Sequence, residues 1–87
     1  MNKNDIEYPI NFHQVLDEIF ETKGWYQGNN FKDGVFIKLN YDCTIHVYEF
    51  SKNHYGEKDL CSLAINDGIY NQHYRRVYTQ PDIMRTT

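Results

Sequence analysis

The chain has 87 residues, 40% apolar and 24% charged, with a formal net charge of -3, which leaves room for one domain (residues 1–87) with a thin core. The apolar residues fall in short patterned runs, a globular rather than a disordered composition. The negative balance excludes a protein held to nucleic acid by net charge alone. No apolar run is long enough to span a bilayer, and the start MNKNDIEYPI has no apolar leader, so a cytoplasmic protein without membrane attachment is expected.

Residues 1–10 and 82–87 read as loose ends. The first element is NFHQVLDEIFETKG, where Phe12, Val15, Leu16, Ile19 and Phe20 form one apolar helical stripe and His13, Gln14, Asp17, Glu18 and Glu21 take the opposite side. Asn11 suits the N-cap, Gln14 the third position of a capping box, and Gly24 the left-handed residue after the last turn. This predicts a helix over 12–23. In WYQGNNFKDG, Gly28, Asn29, Asn30, Asp33 and Gly34 signal two turns, with Trp25 and Phe31 pinning the loop to the core and room for a short strand.

VFIKLN and TIHVYEF form a predicted hairpin around Tyr41, Asp42 and Cys43. Val35, Ile37, Leu39, Ile45 and Val47 line faces at period two, and Phe36, Tyr48 and Phe50 fall on the alternate face. Both faces of the sheet then carry apolar surface. SKNHYGEKD is a polar connection, and LCSLAI is a third predicted strand.

The last patterned stretch is GIYNQHYRRVYTQP. Wound as a helix, Ile69, Tyr70, His73, Tyr74, Val77 and Tyr78 occupy one half of the circle, and Asn71, Gln72, Arg75, Arg76 and Thr79 the other. Extended, it mixes polar and apolar side chains on both faces. Periodicity therefore predicts a helix over 69–80, stopped by Pro81, while the Tyr, Val, Ile and Thr content prefers a strand. The predicted class is α+β: a small domain of order α-β-β-β-α, its antiparallel three-stranded sheet packed by helices, the C-terminal segment being the alternative fourth strand. Double-stranded-RNA-binding domains share this order, but they grip phosphates through a lysine-rich start of the second helix. NDGIYNQHY has no lysine there, and the chain is not assigned to that family.

No catalytic, metal or cofactor site is assigned. Cys43, His46, His54 and Cys61 lack the paired spacing of structural zinc sites, no Gly-rich phosphate loop is present, and the two cysteines read as reduced, buried small hydrophobes. Two surfaces stand out. One is the Tyr and Arg stretch, Tyr70, Tyr74, Arg75, Arg76 and Tyr78, because these residue types dominate binding hot spots. The other is the acidic side of the first helix, Asp17, Glu18 and Glu21, whose bland reading is a solvated face. The expected function is therefore a small non-catalytic binding protein with a protein partner. Its size, its acidity and an Asn-, Lys- and Ile-rich composition typical of AT-rich coding also suit a phage-encoded inhibitor of a host defence or nucleic-acid-processing protein. The alternative is a nucleotide or single-stranded nucleic-acid binder, with Arg75 and Arg76 on phosphates and tyrosines stacked on bases. Homo-oligomerisation suits either, since a thin core leaves apolar surface to bury.

Overall fold

In the computed structural model, which describes residues 6–50 and 57–77, local signals place the first helix. Helix α1 spans Phe12–Thr22 and opens with a complete capping box: the Asn11 side chain accepts from the Gln14 backbone N–H, and the Gln14 side chain accepts from that of Asn11. It closes one residue earlier than the glycine signal implies. Lys23 itself takes the left-handed conformation (φ 53°) and donates its N–H to the Ile19 carbonyl. Gly24 instead lies against the Arg76 side chain, whose Nε would be 2.8 Å from a Cβ at that position.

Six strands surround this helix in sequence: β1 (Ile10–Asn11), β2 (Trp25–Gly28), β3 (Val35–Leu39), β4 (Ile45–Phe50), β5 (Glu57–Ser62) and β6 (His73–Val77), with a short helix α2 (Asp67–Asn71) before the last. They form one sheet of order β1-β6-β2-β3-β4-β5 with every neighbour antiparallel. The hairpin β3–β4 has the expected pairing, with Phe36 opposite Tyr48 and Leu39 opposite Ile45. Strands β2 to β5 are a meander, whereas β6 inserts between β1 and β2.

The sheet is apolar on both faces, as alternation in the hairpin implies. On one side Phe12, Val15 and Ile19 of α1 pack on Tyr26, Ile37 and Tyr74, with Leu63 and Ile69 of the β5–β6 connection covering part of the same side. On the other, Phe36, Tyr48 and Val77 form a second buried cluster flanked by Trp25 and Phe50.

Two parts of the predicted order are corrected. Among the described residues the sheet has six strands rather than three. Within residues 69–77, the predicted long helix is one short helical turn followed by a strand; residues 78–80 lie outside the described part. The physical reason is the position of β6 inside the sheet. Tyr74 is buried on the α1 side and Val77 on the other, so each face carries a buried apolar residue and the usual polar alternation is lost. The high strand propensity of Tyr, His and Val then prevails. The third predicted strand also moves, from 60–65 to Glu57–Ser62, because apolar content marks Leu60 and Ile65, which are both exposed.

Candidate functional site

Because neighbouring side chains in a strand point to opposite faces, β6 separates the two adjacent arginines. Arg75 lies on the face of the second cluster, where its Nε and Nη2 donate to Gln27 Oε1 at 3.2 and 3.1 Å. Arg76 lies on the α1 side, directly across from Tyr26, with its guanidinium over Gly24. Tyr74 is fully buried; its ring packs 5.5 Å from Phe12 and 5.9 Å from Phe31, and its hydroxyl donates to the Ile69 carbonyl at 2.6 Å. Burial pushes its phenol well above the ordinary tyrosine range. Tyr70 is 45% exposed on α2, with its hydroxyl against His13 Nε2 and the two rings edge to face at 5.2 Å. Tyr78 lies outside the described residues. The described members of the stretch thus occupy three separate environments.

The acidic side of α1 is divided as well. Asp17 and Glu21 are exposed, but Glu18 is half-buried and accepts a hydrogen bond of 3.1 Å from the Tyr26 hydroxyl, which Thr22 Oγ1 also approaches at 3.0 Å. The Tyr26 phenol is raised, first by burial and then by the charge and hydrogen bond of Glu18 against the lowering effect of Thr22. Glu18 therefore belongs to the fold, and Asp17 and Glu21 remain as the wet acidic pair.

A third surface, unmarked in the sequence reading, is a groove of about 610 Å³ on the second face of the sheet, near the β3–β4 turn. Lys38 and Asn40, Tyr48, and Glu57 and Asp59 line it from three successive strands, with Lys23, Tyr41 and Cys43 at its end. A β-bulge builds this wall. Val47 pairs with Cys61, but Tyr48 pairs with Asp59, so Leu60 is the extra residue. Without it Leu60 and Lys58 would stand beside Tyr48 and Phe50; with it Asp59 and Glu57 do.

Polar order in the groove is high. Lys38 Nζ donates to Glu57 Oε1 and sits 5.2 Å from the Tyr48 ring centre and 5.8 Å from that of Trp25. Glu57 Oε2 is buried with no hydrogen-bond partner among the described residues. Next to it, His46 Nδ1 donates to Asp59 Oδ2 at 2.9 Å, and Asn40 Nδ2 donates to the same oxygen at 3.2 Å. His46 Nε2 lies 3.0 Å from Thr44 Oγ1, whose hydroxyl donates to Asp42 Oδ1 at 2.6 Å. The Thr44 hydroxyl and backbone N–H hold the Asp42 carboxyl below the usual range. Burial, followed by the charges of Asp59, Glu57 and Asp42, raises the Tyr48 phenol. The period-two rows K-x-N, H-x-Y and E-x-D in the sequence carry this face, but strand order and bulge decide that they meet.

Both cysteines are free and exposed, which corrects their reading as buried hydrophobes. Cys43 is a turn residue at φ 68°, and Cys61 lies on the outer strand. Among the described residues no three His, Cys, Asp or Glu side chains are placed to hold a metal ion; His54 lies outside them. No helix among the described residues is long and apolar enough to cross a membrane. Comparison with protein-family models, curated proteins and solved structures found no match to the chain.

Proposed function

We propose that the protein is a small non-catalytic binding module whose partner is another protein presenting basic side chains. One observation carries this reading over the nucleic-acid alternative. Arg75 and Arg76 point to opposite faces and Tyr74 is interior, so among the described residues the stretch lacks the joint phosphate clamp and stacking platform that a single-stranded nucleic acid requires. Carboxylates, by contrast, are displayed on both sides of the sheet: Asp17 and Glu21 on α1, and Asp59 in the groove. An acidic surface of this kind attracts basic partners and speeds their encounter. Such a module acts by occupying a host protein's basic surface, the mode of a phage-encoded inhibitor, and its setting is the cytoplasm.

The test is fluorescence anisotropy with a labelled arginine-rich peptide and a labelled single-stranded oligonucleotide. The peptide is expected to bind, and Asp17→Asn with Glu21→Gln to weaken it several-fold at low salt, the effect shrinking as salt rises. Oligonucleotide binding that disappears in Arg75→Ala, Arg76→Ala would reverse the reading. Sedimentation of the same samples reports self-association.

A further inference from the structure

The groove between β3 and β5 already shows how it treats a cation. The Lys38 ammonium lies over two aromatic rings and against a carboxylate, an arrangement of the kind used to hold ammonium and guanidinium groups. This occupation is incomplete. Lys38 engages Glu57 Oε1 only, leaving Glu57 Oε2 buried and unpartnered among the described residues, and a buried acceptor left without a donor is costly. Asp59 stands in the same row one pleat away, 41% exposed on its side chain although His46 and Asn40 bond to it.

We infer that this groove is the anchor site of the basic partner and takes one arginine side chain, with the guanidinium on Glu57 and Asp59 and its stem along Tyr48 and Tyr41. The inference rests on the protein-binding reading above and adds to it the residue that is recognised and the place where it sits.

Two features select arginine. Its planar fork offers several N–H donors and so can bridge Asp59 and, once Lys38 gives way, Glu57 Oε1, whereas an ammonium would duplicate the point charge of Lys38. It is weakly hydrated and stacks on aromatic faces, and Tyr41, 98% exposed at the turn, is free to close over it. Among the described residues no strand lies beyond β5, which leaves the approach open at that edge. In this arrangement Lys38 is an internal competitor. It neutralises one carboxylate oxygen and covers the ring that the arginine needs.

The experiment is a titration of the full chain with acetyl-Gly-Arg-Gly-amide, its lysine and citrulline counterparts as controls, followed by amide and side-chain NMR shifts and by Trp25 fluorescence. Saturable shifts at Tyr41, Tyr48 and Asp59 are expected with the arginine peptide, weaker ones with lysine and none with citrulline. Asp59→Asn is expected to weaken binding about tenfold, the loss of a charge-assisted hydrogen bond. Lys38→Met is expected to strengthen it several-fold, a gain that misfolding cannot mimic. An affinity unchanged or reduced in Lys38→Met, or retained in Asp59→Asn, overturns the assignment. If these groove variants leave the arginine-rich peptide bound while Asp17→Asn with Glu21→Gln releases it, the protein-binding reading stands and the groove assignment falls. If no basic peptide binds, both fall.

Discussion

Gly28 shows how narrowly single residues are constrained here. Its position directly across from Tyr74 leaves no room for a side chain, since a Cβ would lie 2.1 Å from Gln72 Oε1 and 2.9 Å from the Phe31 ring. Gln72 is buried; its oxygen accepts from the Asn30 N–H and its amide donates to the Gly68 carbonyl. Gly28→Ala must therefore displace Gln72 and break bonds that join two loops. Urea unfolding should show a loss of about 1–3 kcal/mol, the range for stranding buried polar groups. Gly24→Ala should cost less, because the atom it meets is the flexible end of Arg76.

The elements differ in how far they were legible, and the difference follows the range of the forces that fix them. α1 could be read to its first residue because the stripe and the Asn11–Gln14 box are local in sequence. Asn11→Ala should lower stability by about 1 kcal/mol by removing that cap, measurable by the same unfolding curve. The β3–β4 hairpin was legible for the same reason. β6 was legible only as the alternative that strand propensity offered, because Arg75 and Arg76 look like one wet helical side until Gln27 and Gly24, from a distant strand and its approach, are known to receive them. β1, only Ile10 and Asn11, carries no periodic signal at all. The acidic pair Asp17 and Glu21 could be named from the sequence; the groove could not, because the one-residue bulge at Leu60 decides whether Asp59 or Leu60 stands beside Tyr48.

At the scale of the whole molecule, tyrosines supply much of the buried apolar volume. Burial raises the phenols of Tyr26, Tyr48 and Tyr74. In the unfolded chain these groups lose their protons near pH 10, while the folded protein retains them. Their contribution to stability is thus complete below that pH and declines as pH rises above it. A stability profile should fall steeply above about pH 10, and Tyr74→Phe should flatten the fall even as it removes the bond to Ile69. Asp42 acts in the opposite sense. Its lowered carboxyl favours the fold above the unfolded carboxylate range, and that small, solvent-screened contribution disappears as pH falls through the folded value.

The late strand β6 lies between β1 and β2, both from the first third of the chain. During synthesis the meander β2–β5 can form as it emerges from the ribosome, but Ile10 has no pairing partner and Tyr26 lacks a neighbour on one side until residues 73–77 are released. Completion of the sheet is consequently a late, long-range closure, of the kind that slows folding. A nascent or truncated chain ending before His73 would present the open side of β2 to chaperones and proteases, so this topology makes a chain that has released residues 73–77 the first species able to escape them.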